Sequence, residues 1–257
     1  MNNKVSVVMP CFNSEATISR AINSVLSQSH SNLELIICDD SSTDSTKSII
    51  KSFTDERIKL INNKYNKGAA GARNSCLDCS SGKYIAFLDS DDYWGDTKLS
   101  NQLSFMEKHN SFFTYGNYFI VNNSLVTGRF EANNKIYYHD LIKKCDIGCL
   151  TVMIKHELLG NYRFPENYKE DYRLWLTLLA KDKKLCALNY NGTDSFYNCD
   201  TNSLSGNKRK ELLRQWLVIN EQPIRLSKKI YCITYYVFNG IYKHIIQYRS
   251  GVKSCEK

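Results

Sequence analysis

Lys83-Tyr-Ile-Ala-Phe-Leu-Asp-Ser-Asp-Asp-Tyr-Trp94 decides how this chain is read. Tyr84 to Leu88 is a short apolar run, as expected of a strand buried on both faces. It ends in three carboxylates, Asp89, Asp91 and Asp92. Ionised carboxylates at the mouth of a buried strand repel one another and cost desolvation energy unless a cation neutralises them. Asp89 and Asp91 are two apart, so in extended chain their side chains project the same way. Two hard oxygen ligands on one side suit Mg²⁺ or Mn²⁺, shared with the phosphate oxygens of a substrate. Taken alone, the same residues also suit an ordinary turn. The rest of the chain decides between the two.

Upstream, Val5–Met9 is a first buried strand, ended by Pro10, which cannot donate to a central ladder. Asn13 or Ser14 can cap a helix from about Glu15, whose Ile18, Ala21, Ile22 and Val25 recur at helical spacing. Leu33–Cys38 is a second strand and runs into Asp39-Asp40-Ser-Ser-Thr-Asp44. A helix over about Ser45–Phe53 and a strand at Ile58–Ile61 follow. Asn66–Asn74 is a Gly/Ala-rich turn entering a helix that reaches about Cys79. This β-α-β-α-β-α-β alternation predicts a doubly wound, mostly parallel α/β sheet. Ligands of such sheets bind beyond the carboxyl ends of the strands. Pro10–Glu15, Asp39–Asp44 and Asp89–Asp92 all stand at such ends, so three polar clusters converge on one rim.

The second half is less regular. A helix is expected over about Asp96–His109, a strand over Phe112–Val121, and a helix over Tyr172–Lys181 with Leu174, Trp175, Leu178 and Leu179 inward. Residues 139–162 suit a short helix, a strand near Cys149–Ile154 and a helical turn. Leu185–Tyr190 and Ser195–Asn198 suit short strands. From about Lys208 the chain is helical.

The chain has 257 residues, 42% of them hydrophobic, which suits one large domain or a domain with an appendage. The apolar run after Lys4 is too short for a signal peptide. Ten cysteines lack the framework pattern of a small secreted domain, and Cys76-Leu-Asp-Cys79 has no second pair at zinc spacing, so reduced cytosolic thiols are expected. Residues 207–257 hold 11 Lys/Arg against 3 Glu, which accounts for the whole net charge of +8. An electroneutral body argues against nucleic-acid binding and for a tail facing something anionic.

The landmarks resemble glycosyltransferase family 2, the inverting transferases with the GT-A fold. The resemblance covers about residues 4–206. Its pieces are Val5-Ser-Val-Val-Met-Pro-Cys-Phe-Asn13 with Glu15, Ile37-Cys-Asp-Asp-Ser-Ser-Thr-Asp44, Asn66-Lys-Gly-Ala-Ala-Gly-Ala-Arg-Asn74, Gly82 through Asp92, and Glu170-Asp-Tyr-Arg-Leu-Trp175. It implies a nucleotide-binding half over about 1–110, an acceptor-binding half over about 111–206 and a separate tail over 207–257. It further implies that Asp40 accepts the N3–H of uracil, and that Pro10, Phe12 and Glu15 line the nucleoside pocket. Arg73 would approach uracil or diphosphate, where a guanidinium fork fits both. Asp89 and Ser90 would meet the nucleotide-sugar, with Asp89 touching ribose or metal. Asp91 would be the direct ligand of Mn²⁺ or Mg²⁺. Asp171 would be the general base, with Glu170 either orienting it or raising its pKa through like-charge repulsion. Two features depart from the family. Asn198 stands where an Arg is usual before the Ser203-Leu-Ser205 loop, and the Gln-x-x-Arg-Trp of processive members is absent. One sugar per acceptor is therefore expected.

Ile230–Ile246 is apolar and aromatic, follows a basic stretch and is marginal in length for crossing a bilayer. It suits an interfacial helix on anionic lipid, or equally an amphipathic helix packed on the domain. The expected activity is transfer of one sugar from a UDP-sugar to a polyprenyl-diphosphate-linked acceptor of O-antigen or capsule type. The expected place is the cytoplasmic face of the cell membrane, with residues 207–257 on the anionic surface. The competing readings are a transferase acting on a soluble or protein acceptor and a non-catalytic nucleotide-sugar-binding protein.

Overall fold

The computed structural model describes residues 3–199 and 208–250. The Ser203–Ser205 loop and the last seven residues of the tail therefore lie outside the described residues. In the first half, β1 (Val5–Cys11), α1 (Ile18–Leu26), β2 (Leu33–Asp39), α2 (Thr46–Ser52), β3 (Ile58–Asn62), α3 (Ala69–Asp78) and β4 (Tyr84–Phe87) alternate. Then come β5 (Tyr93–Trp94), α4 (Lys98–Lys108), β6 (Phe113–Tyr115), β7 (Tyr118–Asn122), β8 (Leu125–Phe130), β9 (Lys135–Tyr137) and α5 (Tyr138–Leu141). The rest is β10 (Met153–Lys155), α6 (His156–Leu159), α7 (Glu170–Leu179), β11 (Cys186–Asn189), β12 (Ser195–Asn198), α8 (Lys208–Glu221) and α9 (Leu226–Ser250).

Eight strands form the main sheet in the order β3-β2-β1-β4-β10-β6-β11-β9. The β3-β2-β1-β4 half is parallel, and β10 enters antiparallel to β4. Side chains of the central strands alternate between two cores. Val5, Val7, Met9, Leu35 and Ile37 face α1 and α4, while Val8, Ile36, Ile85 and Phe87 face α3 and α7. With both faces covered, these strands are mostly apolar. The two polar exceptions within the runs meet each other, the Ser6 hydroxyl of β1 donating to Glu34 of β2 (2.6 Å), with which Lys4 and Lys59 also pair.

β1 continues through Pro10, contrary to the expectation that Pro10 ends it. The alternation of the parallel ladder explains this. Cys11 accepts from Asp40 on the β2 side (2.9 Å), and Val8 accepts from Leu88 on the β4 side (3.1 Å). Pro10 shares the side of Val8, and pairing with β4 has already ended at Val8–Phe87. Its missing N–H therefore costs no ladder bond.

The expected single strand over Phe112–Val121 is two strands in two sheets. β6 lies in the main sheet, and β7 joins a small sheet of order β5-β12-β7-β8. The break falls at Gly116-Asn117. A Cβ at Gly116 would stand 2.3 Å from the Tyr190 ring. The Asn117 carboxamide accepts from the Ala132 N–H (3.0 Å) and from Asn189 (3.1 Å), replacing ladder partners where the chain changes sheet.

Lys98 is wholly buried, with its ammonium 3.9 Å from the centroid of the Trp94 ring and no hydrogen-bond acceptor. Burial lowers its pKa to about 7, against the opposing pull of Asp194. The unfolded chain therefore binds more protons than the folded one between pH 7 and the ordinary lysine range, and stability rises with pH across that window. Lys98→Met keeps the volume and removes the ammonium. It is expected to stabilise the fold at pH 7 by about 1–3 kcal/mol, a pKa unit being worth about 1.4 kcal/mol and the ring contact offsetting part. Thermal melts should show the gain shrinking towards pH 10. A gain that grows with pH would contradict the assignment.

α8 and α9 dock on the domain by one face each. Gln215, Val218 and Ile219 of α8 and Cys232 of α9 are buried there. Gln215 donates to the Tyr172 hydroxyl (3.1 Å), and Arg173 pairs with Glu221 (2.9 Å). Among the described residues no helix is long and apolar enough to cross a membrane.

Candidate active site

The rim at the carboxyl ends of β1, β2, β3 and β4 is built from turns tied to each other. After β4, Asp91 is exposed and Asp89 half-buried, while Ser90 and Asp92 are buried. Ser90 and Ser14 share a hydroxyl–hydroxyl bond (2.7 Å), which ties this turn to the one after β1. Arg20 donates to the Asp91 carbonyl (2.9 Å) and lies over the Tyr93 ring. Asp92 accepts from the Asn198 N–H (2.8 Å), so it fastens the end of β12 beneath the turn. The third carboxylate of the sequence motif is thus a buried brace, and the other two are left at the rim.

The turns after β1 and β2 interlock. Asn13, at φ +47°, accepts from the Thr43 N–H (2.8 Å). Glu15 accepts from the Ser45 N–H (2.9 Å), while its own N–H donates to Asp44 (3.1 Å). Desolvation would raise the Asp44 pKa, but bonds from Thr46 and from the Glu15 N–H hold it below the usual carboxylate range. Phe12 stands exposed, with the Lys67 ammonium 4.5 Å from its ring centroid. Pro10 and Phe12 therefore flank this double turn, and Glu15 secures it.

Asp40 is buried at the end of β2. It accepts from Asn63 (2.7 Å) and from the Gly68 N–H (2.7 Å). Each carboxylate oxygen has a second lone pair, so Asp40 can still accept a nucleobase N–H. Gly68 precedes α3 at φ +129°, a conformation that side chains with a Cβ rarely adopt. Asn63, at the end of β3, was not singled out in the sequence. Its position on the same strand-end rim is the signal that could have found it.

Arg73 turns away from Asp40. Its buried guanidinium donates to Asp89 (2.6 Å) and to Glu170 (3.0 Å), with the Phe164 ring 5.4 Å off. Burial disfavours its charge, but Asp89 and Glu170 outweigh that and hold the group firmly protonated. One side chain thereby joins the turn after β4 to the start of α7. The next residue is Asp171, half-buried in the first turn of α7, with one oxygen accepting from the Tyr172 N–H (2.7 Å). Lys169, just before the helix, is left-handed at φ +46° and sets the direction in which α7 leaves the loop. Cys145 lies near Asp171. Burial, with the Asp171 charge next in importance, pushes its thiol up to about 12. It is therefore an uncharged neighbour.

Trp175 fixes α7 to the sheet. Its ring meets Phe87, Phe113 and Phe164 edge-on at 5.2–5.9 Å. Phe87 is two residues before Asp89, so the aromatic cluster and Arg73 both set the distance between the acids of the rim and Asp171.

Among the described residues no three or more His, Cys, Asp or Glu side chains gather as a metal cage. Asp89 and Asp91 nonetheless fit a hard divalent ion. Mg²⁺-type sites commonly use one or two carboxylates, with diphosphate oxygens and water completing the shell.

The model of glycosyl transferase family 2 matches residues 6–158, from β1 into α6. The chain belongs to glycosyl transferase family 2. This family 2 protein is 48% identical, over 97% of its length and 98% of the other, to UDP-Glc:alpha-D-GlcNAc-diphosphoundecaprenol beta-1,3-glucosyltransferase WfgD of Escherichia coli. It is 46% identical to WfaP of Escherichia coli, which carries the same functional name, over 95% of this chain and 97% of that one. Staphylococcus aureus TarS 1–349, solved in complex with UDP-GlcNAc, superposes with a TM-score of 0.71 over 91% of this chain and 71% of that one. At 21% identity that likeness shows the GT-A-like fold alone.

Proposed function

We propose that this family 2 transferase moves one glucose from UDP-glucose to a hydroxyl of GlcNAc carried on a polyprenyl diphosphate, with inversion. The observation that carries the choice of donor and acceptor is the 48% identity, over nearly the full length, to a protein named for that reaction. The rim supports the chemistry. Asp40 receives uracil N3–H, and Phe12, Pro10 and Glu15 bound the nucleoside. Asp89 and Asp91 would hold Mn²⁺ or Mg²⁺ against the diphosphate, where the ion offsets charge growing on the leaving group. Asp171 takes the acceptor hydroxyl proton as that oxygen bonds to the anomeric carbon. The bond from that carbon to the diphosphate oxygen breaks on the opposite face, and its electron pair leaves with UDP. We place the reaction at the inner face of the cell membrane, with the basic residues of 207–257 towards anionic lipid.

The test is transfer with UDP-Glc, UDP-Gal, UDP-GlcNAc and UDP-GalNAc to a GlcNAc-diphosphate ester. UDP-Glc should give a β-linked product, and a clear preference for another donor would overturn the donor reading. In the same assay Asp91→Ala should reduce transfer by roughly 10²-fold or more, since several kcal/mol of charge stabilisation is lost. Turnover by Asp91→Ala that matches the unmutated enzyme, with EDTA present, would sink the metal assignment.

A further inference from the structure

α8 and α9 also line a groove with residues outside their docked faces, Leu212, Leu213 and Trp216 of α8 and Thr234, Val237 and Phe238 of α9, with Ile233, which also packs against the core, at its base. These follow the three- and four-residue spacing of one helix face. Leu213 is 57% and Phe238 71% exposed. The two faces enclose an open groove of about 480 Å³, within the size range of small-ligand sites. Its walls are apolar, and among the described residues Arg209 is the one charged residue lining it.

The Arg209 end of the groove is linked to the candidate base through Glu211 and Lys169. Two residues beyond Arg209, Glu211 pairs with Lys169 (3.3 Å), and the Lys169 ammonium lies 5.7 Å from the Tyr236 ring of α9. Lys169 in turn is two residues before Asp171. In order, then, the surface offers a base, the Lys169 ammonium with Glu211 beside it, the Arg209 guanidinium and an apolar trough. A sugar diphosphate ester of an isoprenoid alcohol offers, in the same order, a hydroxyl, two phosphates and a hydrocarbon chain. A flat lipid surface would need exposed apolar side chains but no concave trough leading to the base.

We propose that the groove between α8 and α9 binds the isoprenoid units nearest the diphosphate of a single acceptor molecule, with Arg209 and Lys169 facing the phosphates. This rests on the acceptor proposed above, and it adds where the chain of that acceptor lies.

The test uses two soluble acceptors, GlcNAc-diphosphate ethyl ester and GlcNAc-diphosphate farnesyl ester, below micelle-forming concentration and without membrane or detergent. The unmutated protein should show kcat/KM at least roughly tenfold higher for the farnesyl ester, a modest return for burying several CH₂ groups. The gain should lie in KM. Leu213→Glu and Phe238→Glu should each bring the farnesyl-to-ethyl ratio close to one, while Leu125→Glu, on the distant exposed strand β8, should keep it. The tryptophan fluorescence should also respond to the farnesyl ester and not to the ethyl ester, and Trp216→Phe should abolish that response, which assigns it to Trp216 and not to Trp94 or Trp175. A ratio near one in the unmutated protein, or no Trp216 response, overturns the proposal. So does a ratio that survives both groove variants while they lose flotation with anionic liposomes, which would make the groove a bilayer contact. A dimer that both variants dissociate, with the ratio intact, would make it a contact between copies. If neither ester is glycosylated, the acceptor reading fails, and the Trp216 titration still judges the groove.

Discussion

Asp171→Asn is expected to lower kcat for transfer by roughly 10²–10⁴-fold, the usual worth of a positioned general base. The amide has nearly the shape of the acid but cannot take a proton at neutral pH. The Tyr172 N–H that now reaches Asp171 (2.7 Å) can still bond to the amide oxygen, so the helix start survives. UDP binding should be unchanged, because Asp171 sits on α7 and the proposed nucleoside contacts sit on β1, β2 and their turns. The loss should therefore fall on kcat and leave KM for the donor. Asp40→Asn is the contrasting case. Asp40 accepts from Asn63 and from the Gly68 N–H, and an amide there would point NH₂ at one of those donors. Donor binding should weaken first. Calorimetry with UDP and single-turnover transfer separate the two. If Asp171→Asn loses UDP affinity and Asp40→Asn loses only rate, the two acids have exchanged roles.

The half of the fold that carries the nucleotide rim was legible because its signals are local. A continuous apolar run marks β4, nearly continuous ones mark β1 and β2, and polar clusters mark their ends. The errors came where tertiary contacts decide. Nothing in Phe112–Val121 announces a change of sheet, since the break at Gly116-Asn117 depends on the Tyr190 ring and on Asn189, which are distant in sequence. Pro10 was read by the rule for central strands, but the end of β4 pairing, not the residue itself, sets whether its lost N–H matters. In the site, Asp89, Asp91, Asp40 and Asp171 could be named from spacing and family likeness. Asp92 as a brace and Asn63 as a partner of Asp40 could not, because each meets its partner only after folding. The cation of Arg73 was legible, but its direction was not. Its two acids are 16 and 97 residues away, and only the fold brings them to one guanidinium.

That direction leads to the other large effect. Arg73→Lys keeps the charge but replaces a rigid fork by a single ammonium, which cannot hold Asp89 and Glu170 in the present geometry together. The protein should fold, with a melting temperature close to the unmutated one. Transfer should drop by roughly 10²-fold, the cost of a misplacement on the order of 1 Å between reacting groups. Because Asp89 is also assigned to the metal, the Mn²⁺ midpoint of the reaction should move, which a purely structural role would not produce. Arg73→Met goes further. It leaves two carboxylates, 33% and 25% exposed, facing a buried site with no cation. Breaking a fully buried pair costs about 3–5 kcal/mol. Partial exposure of both acids reduces that to about 2 kcal/mol. The melting temperature should therefore fall for Met and hold for Lys, while both lose transfer. Should Arg73→Lys keep both its kcat and its Mn²⁺ midpoint, the guanidinium is a packing cation, and the distance between the turn after β4 and Asp171 is set by Trp175 and its aromatic neighbours alone.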